Sequence, residues 1–159
     1  MAAPETVERI ESGATPGDFH CLHLDCGTLL RARTVLIAAG VRWRRLEALG
    51  AEQFESAGIH YACTSVEAIL YDTQDVAVVG AGNSAGQAAM FLAECCRDRR
   101  VHLVVRKRLG PGMSNYLVGW IRSAANIYLH EGVEIAAVGG EKRLQSMSLQ
   151  AYDPDGGSP

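Results

Sequence analysis

The chain has 159 residues, of which 48% are hydrophobic and 21% charged, enough for one well-cored domain or for one domain with a piece of another. A formal net charge of −3 gives no basic surplus, which excludes general attraction to nucleic acid or to an anionic membrane. The longest apolar runs, Val35–Val41 and Val76–Ala81, are far shorter than the roughly 20 residues needed to span a bilayer. An N-terminus without a secretory apolar core and an odd set of five cysteines predict a cytoplasmic location.

The first forty residues predict a small β-meander. Thr6–Glu11 and Asp18–Asp25 alternate apolar and polar residues, and Cys26-Gly27 suits a tight turn into a third strand. Thr34–Ala39 is a continuous apolar run closed by Gly40, which predicts a strand buried on both faces. We therefore expect a meander over residues 1–44, followed by a connector with short helical pieces over residues 45–72.

A strand, a glycine-rich turn and a helix follow in order. Val76–Val79 predicts the strand, Ser84–Cys95 has apolar residues at helical spacing, and Val101–Val105 predicts a second strand. These three segments complete a βαβ unit of about 30 residues, which implies a parallel pair of strands. The fold class is therefore α/β, with a Rossmann-like nucleotide-binding domain over residues 73–152 after the meander.

The rest of the chain predicts one more helix and the closing strands. Ser114 is a suitable N-cap for a helix that runs to about Ala125. The residues expected on its buried face are Leu117, Trp120, Ile121 and Ala124. Three strands are expected to follow, at Ile127–Leu129, Val133–Val138 and Leu144–Gln150. Residues 153–159 predict a linker-like tail.

The turn after the first of these strands has the pattern G-x-G-x-x-A, from Gly80 through Gly82, Asn83 and Ser84 to Ala85. The first glycine permits the tight turn, the second allows the backbone to approach a pyrophosphate, and the alanine permits close packing of helix on strand. The helix N-terminus adds free N–H groups and a partial positive charge. This context predicts a dinucleotide site, and the alternative is a glycine turn in an α/β layer without a ligand.

The end of the second strand predicts which dinucleotide binds. An NAD site places an acidic residue there to accept a hydrogen bond from the ribose 2′-hydroxyl, whereas this chain has Arg106, Lys107 and Arg108. Three cations favour a 2′-phosphate through charge-assisted hydrogen bonds, which predicts NADP(H). The alternative is a solvated basic turn.

Three stretches in this order resemble one family. Val35–Val41 resembles the strand and turn that close the first half of a flavin domain, Ala77–Ala85 is similar to a pyridine nucleotide loop, and Val101–Lys107 is similar to a 2′-phosphate strand. Together they resemble the thioredoxin reductase-like, FAD-dependent pyridine nucleotide-disulfide oxidoreductases, from about Thr6 to Gln150. The resemblance implies that NADPH passes hydride to FAD, and that residues 1–44 are part of an FAD domain.

The resemblance also implies a redox Cys-x-x-Cys pair, and this chain has half of it. Cys63 matches the first cysteine as a candidate catalytic thiol, whereas Val66 stands at the position of the second, and Glu67 replaces the usual aspartate. A dithiol relay needs a resolving thiol. The resemblance therefore implies a protein disulfide or a small-molecule electron acceptor as partner, and is compatible with a homodimer, but thioredoxin reduction by the ordinary route is not expected.

The main FAD-binding motif of the family is absent, since neither its first G-x-G-x-x-G loop nor its closing Gly-Asp segment occurs in this sequence. The expectation is a fragment, or one piece of a divided protein. Two other functions remain open: a non-catalytic NADP-binding sensor or regulatory module or truncated remnant, and an adenine-nucleotide site of another kind, such as a methyl-donor pocket. No metal is expected, because Cys21, His23 and Cys26 form a cluster without the second ligand pair that zinc needs.

Overall fold

A computed structural model of the chain describes residues 5–55, 57–71 and 73–154. Met1–Arg42 and Trp43–Pro159 form two compact units. The predicted tail lies mostly outside the described residues, because the description ends at Pro154. The assignment of residues 1–44, 45–72 and 73–152 to particular domains stays a prediction.

The first unit contains a three-stranded antiparallel sheet. Its strands are β1 (Val7–Glu11), β2 (His20–Leu24) and β3 (Leu29–Ala32), in the spatial order β1-β2-β3. A tight turn joins β2 to β3 at Gly27, whose φ of 83° lies in the left-handed region that glycine adopts without a steric cost. This is the predicted meander, and Leu24 is its buried apolar residue within the described chain.

The prediction of a buried strand at Thr34–Ala39 is wrong. This segment has no regular secondary structure, and the side chains of Leu36 and Ile37 are 90% and 71% exposed. A strand of this kind needs backbone partners on both sides and apolar cover on both faces. No strand of the described residues pairs with it, so its apolar run lies open to solvent.

The second unit begins with short helical segments, as expected for a connector. A 3-10 helix spans Ala51–Phe54, and α1 spans Ser65–Leu70. A capping box begins α1: the Thr64 hydroxyl accepts from the backbone N–H of Val66 at 3.2 Å, and the backbone N–H of Thr64 donates to the Glu67 carboxylate at 2.8 Å.

A three-stranded parallel sheet forms the centre of the second unit. β4 (Val76–Val79), β5 (Val101–Val105) and β6 (Ile127–Glu131) lie in that order, while α2 (Asn83–Cys95) connects the first pair and α3 (Asn115–Ser123) precedes the third strand. Val79 pairs with Val104 on β5. The predicted βαβ unit is therefore present. β7 (Val133–Gly139) and β8 (Ser146–Ala151) form a separate antiparallel pair.

The core lies between the parallel sheet and the helices α2 and α3. β5 is buried along its length except at His102, as expected for the middle strand of a covered parallel sheet. The buried apolar residues are Ala68, Ala89, Leu92, Ala93, Val101, Leu103, Val105, Leu109, Met113, Leu117 and Ile121. This core holds the carboxyl ends of β4 and β5 beside each other.

The prediction that Trp120 lies in the core is wrong. Trp120 on α3 is 55% exposed, whereas Leu117 and Ile121 are buried as expected. Leu117 and Ile121 are four residues apart and share one face of the helix, and Trp120 lies at the edge of that face. There its ring packs edge-on against Tyr116, with the ring centroids 5.1 Å apart.

A buried arginine fastens α1 to the end of α2. The Arg99 guanidinium donates to the carbonyl oxygens of Leu92 at 3.2 Å, Ala68 at 3.0 Å and Tyr71 at 2.7 Å. Carbonyl groups at a helix C-terminus have no intrahelical donor, so a buried cation that satisfies them stabilises the helix end. Nothing in the sequence pattern indicates this role, because Arg99 stands within a polar run, Arg97–Arg100.

Candidate nucleotide-binding site

The parallel sheet brings the glycine-rich turn and the three cations to one edge. Gly80 directly follows β4 and Arg106 directly follows β5, and the two strands run in the same direction. The backbone N–H of Gly80 donates to the carbonyl oxygen of Val104 at 3.0 Å. In open α/β sheets, ligands bind outside the carboxyl ends of the strands, which is the edge that these residues occupy.

Gly80 makes the turn off the strand. Its φ of 144° lies in a range that L side chains rarely adopt, and a Cβ placed on it would lie 3.0 Å from the Ala85 Cβ. Gly80 and Ala85 are therefore small because the turn packs directly against the first turn of α2. This is the packing that the sequence pattern predicts for the pair.

Gly82 differs from Gly80, because no contact among the described residues requires it to be glycine. Its φ of −92° is ordinary, and a Cβ there would meet only the Gly112 carbonyl oxygen, at 3.9 Å. Gly82, Asn83 and Ser84 are exposed. The open space beside Gly82 fits a ligand that approaches the backbone.

The N-terminus of α2 has free donors beside that space. Gly82 is its N-cap and provides no side-chain cap, and the first intrahelical bond runs from the N–H of Gly86 to the Gly82 carbonyl oxygen at 3.1 Å. The N–H groups of the first helical turn before Gly86 thus have no intrahelical acceptor. A helix of 13 residues also adds a partial positive charge at this end.

The side chain of Asn83 has a structural role. Its Oδ1 accepts a hydrogen bond from the backbone N–H of Ser114 at 2.8 Å, which links the glycine-rich turn to the start of α3. Ser114 is the N-cap as predicted, but its own side chain makes no capping bond. The backbone N–H of Asn83 belongs to the first turn of α2 and has no intrahelical acceptor. Its carboxamide oxygen, in contrast, already accepts the hydrogen bond from Ser114.

A loop that the sequence pattern does not place covers one side of this turn. A Cβ on Gly112 would lie 3.3 Å from the Ala81 carbonyl oxygen, and a Cβ on Gly86 would lie 2.8 Å from the Met113 Sδ. Both glycines therefore permit close contact between residues 110–113 and the start of α2. The pattern Gly110-Pro111-Gly112 signals a loop, but nothing in it indicates what the loop contacts.

The three cations are in different environments. Arg106 Nε lies 3.1 Å from Glu134 Oε2, and its guanidinium carbon lies 5.4 Å from the centroid of the Tyr152 ring. Lys107 and Arg108 are exposed, and within the described part of the chain they form no ion pair. The structure thus places all three at the predicted edge, but Arg106 is already held by a carboxylate.

The candidate thiol lies outside this site, just before α1. Cys63 is exposed as a residue, yet partial burial of its thiol raises its pKa, and the charge of Glu67 and the proximity of Cys95 raise it further. The charge of Arg99 lowers the pKa of this thiol. A reactive cysteine needs a lowered pKa, so this environment favours the protonated, less nucleophilic thiol. Val66, at the position of the missing second cysteine, is 59% exposed.

The cysteine and histidine cluster of the meander is engaged in local contacts. Cys26 Sγ donates to Thr28 Oγ1 at 3.1 Å, and His23 Nε2 lies 3.4 Å from Glu11 Oε1. Among the residues that the structure describes, no three His, Cys, Asp or Glu side chains are placed to hold a metal ion. No helix within the same residues is long and apolar enough to cross a membrane.

Comparison with known proteins identifies the family to which the chain belongs. The pyridine nucleotide-disulphide oxidoreductase family matches residues 3–155, so the chain belongs to that family. Within it, the chain is thioredoxin reductase-like. It is 32% identical over 132 residues to the thioredoxin reductase of Mycoplasma genitalium, covering 83% of this chain and 41% of that protein.

A second relative agrees with this placement, and a solved structure shares the fold. The chain is 33% identical over 133 residues to the thioredoxin reductase of Mycoplasma pneumoniae, covering 84% of this chain and 41% of that protein. The structure of the thioredoxin reductase from Giardia duodenalis matches with a TM-score of 0.71 at 22% identity, covering 94% of this chain and 47% of that one. The chain thus spans less than half the length of these relatives, and the resemblance to the thioredoxin reductase-like enzymes is confirmed.

Proposed function

We propose that this chain is the NADPH-binding part of a thioredoxin reductase-like flavoprotein oxidoreductase. The observation that carries the proposal is the open space at Gly82, which lies beside the free N–H groups of α2 and at the same sheet edge as Lys107 and Arg108. The pyrophosphate would lie against the helix N-terminus, and the 2′-phosphate would lie at the end of β5. The bound nicotinamide supplies hydride, and the protein's own residues bind and orient it.

The described residues do not provide a comparable helix N-terminus for FAD, so they do not support a complete FAD site. The compact unit Met1–Arg42 contains, within its described part, strands and turns but no helix whose N-terminus could hold the FAD pyrophosphate. FAD as the hydride acceptor is therefore implied for the whole protein by the family alone. The electron acceptor, a protein disulfide or a small molecule, is proposed on the same ground.

Titration with NADPH and NADH tests the cofactor assignment. Lys107→Ala combined with Arg108→Ala should weaken NADPH binding by about 1–2 kcal/mol, since charge-assisted bonds contribute less at exposed positions. NADH binding should change little, because NADH lacks the 2′-phosphate. Lys142→Ala with Arg143→Ala removes the same two charges from the exposed turn between β7 and β8, and serves as the control.

Equal losses for NADPH and NADH in the Lys107 and Arg108 variant would contradict the assignment. Tighter binding of S-adenosylmethionine than of either dinucleotide would instead favour a methyl-donor pocket.

A second candidate is a non-catalytic NADP-binding module that senses the cofactor or regulates a partner. The raised pKa of Cys63 and the valine at position 66 favour it, because they leave no activated dithiol at α1. The absorbance of purified protein distinguishes the two functions. Bound flavin that is bleached by NADPH supports the oxidoreductase, whereas a colourless protein that binds NADPH supports the module.

A further inference from the structure

Arg106 contacts one residue on β7 and one residue directly after β8. Its Nε lies 3.1 Å from Glu134 Oε2, and its guanidinium lies over the Tyr152 ring at 5.4 Å. The side chain of Glu134 is 23% exposed, compared with 53% for Arg106. Gln150 Nε2 donates to the other carboxylate oxygen, Glu134 Oε1, at 3.1 Å. The carboxylate is thus held from both sides and points at the cation.

We propose that Glu134 is a specificity-determining residue, which competes with the 2′-phosphate of the cofactor for Arg106. The proposal rests on the proposed function and deepens it, because it concerns the same nucleotide site. Nε of Arg106 faces the Glu134 carboxylate, so a phosphate at the remaining guanidinium nitrogens would meet a cation that is already paired with an anion.

The consequence is a weaker preference for NADPH than three free cations would give. Lys107 and Arg108 remain available to the phosphate, since neither forms an ion pair within the described residues. The acidic residue of an NAD site normally lies at the end of the second strand and binds the ribose directly. Here the carboxylate comes from a different strand, β7, and acts by holding a cation.

Glu134→Gln isolates the charge. The amide oxygen of the variant can keep the contact with Arg106 Nε, and Gln150 can turn its carboxamide so that its oxygen accepts from the new NH2 group. The size of the side chain is therefore retained while the negative charge is lost. The dissociation constant for NADPH should fall about threefold to fivefold, the effect of removing one partly exposed carboxylate from the site. The constant for NADH should change less than about 1.5-fold on the same scale, and adenosine 2′,5′-bisphosphate should follow NADPH.

Two controls make the result specific. Glu141→Gln removes the same charge from the exposed turn at the far end of β7, about 20 Å along the strand direction from Glu134, and should alter neither constant. In an Arg106→Ala background, Glu134→Gln should change NADPH binding less than about twofold, because no cation is left to release.

An unchanged or lower preference for NADPH in Glu134→Gln would overturn the inference, since Glu134 would then orient Arg106 for the phosphate. A full effect that persists without Arg106 would also overturn it, because direct repulsion would explain the result. These failures differ from failure of the proposed function, in which the wild-type chain binds neither NADPH nor adenosine 2′,5′-bisphosphate.

Discussion

Gly82→Ala should strongly weaken NADPH binding while leaving the fold nearly intact. The new Cβ would meet no protein atom closer than 3.9 Å, and the φ of −92° suits alanine, so neither strain nor a clash is expected. Alanine is a poorer N-cap than glycine, which costs about 0.5–1 kcal/mol of stability. The methyl group would instead occupy the space that we assign to the pyrophosphate, and we expect binding to weaken by about tenfold or more, the effect of losing about 1.4 kcal/mol.

Gly86→Ala is the matched comparison, because it lies four residues further on in α2. Its Cβ would lie 2.8 Å from the Met113 Sδ and 3.4 Å from the Ile121 Cδ1, so it should destabilise the core. Overpacking costs about 1–3 kcal/mol, and the higher helix propensity of alanine returns about 1 kcal/mol. The flexible methionine can absorb part of the clash.

Urea denaturation and calorimetric titration of both variants measure the two effects separately. The expected pattern is a large loss of affinity with little loss of stability for Gly82→Ala. If Gly82→Ala bound NADPH within twofold of the wild type, the pyrophosphate would not lie at Gly82.

Three other outcomes follow from the packing and electrostatics. Arg99→Met should lower the free energy of unfolding by about 2–4 kcal/mol in urea denaturation, because three buried carbonyl acceptors lose a charged donor; a loss below about 0.5 kcal/mol would contradict that role. Burial and the adjacent His130, whose Nε2 lies 3.0 Å from His102 Nδ1, lower the pKa of His102 below its usual 6.5. The unfolded state therefore binds the proton more readily, so stability should fall as the pH drops below about 6.5, and His102→Asn should remove this part of the pH dependence. Glu67→Gln keeps the capping box but removes a charge that raises the pKa of Cys63, so alkylation of that thiol at pH 8 should become faster, and an unchanged rate would show that the charge of Glu67 does not affect the pKa.

Local patterns were sufficient to predict the strand, turn and helix around Gly80. Each residue of that segment has a requirement that sequence neighbours reveal: the apolar run of β4, the left-handed turn at Gly80 and the small Ala85 beside it. The order of the segments then predicted the parallel pairing of β4 with β5, because a strand, helix and strand of this length close in only one common way.

Contacts between distant segments could not be predicted in this way. The pairing of Arg106 with Glu134 joins residues 28 positions apart, and nothing in either local sequence indicates the partner. The Asn83–Ser114 bond likewise depends on how the loop after β5 folds over α2. The prediction of a buried strand at Thr34–Ala39 was wrong for a related reason, since an apolar run forms a buried strand only where other strands pair with it.

In the proposed site, the glycine-rich turn and the cations after β5 hold a dinucleotide with a 2′-phosphate. Calorimetric titration of the wild-type chain with NADPH and with NADH at equal ionic strength measures this most directly. We expect NADPH to bind about tenfold tighter or more, a difference of about 1.4 kcal/mol that shrinks as salt is added. Equal affinity for the two cofactors, or a difference that salt does not change, would contradict it.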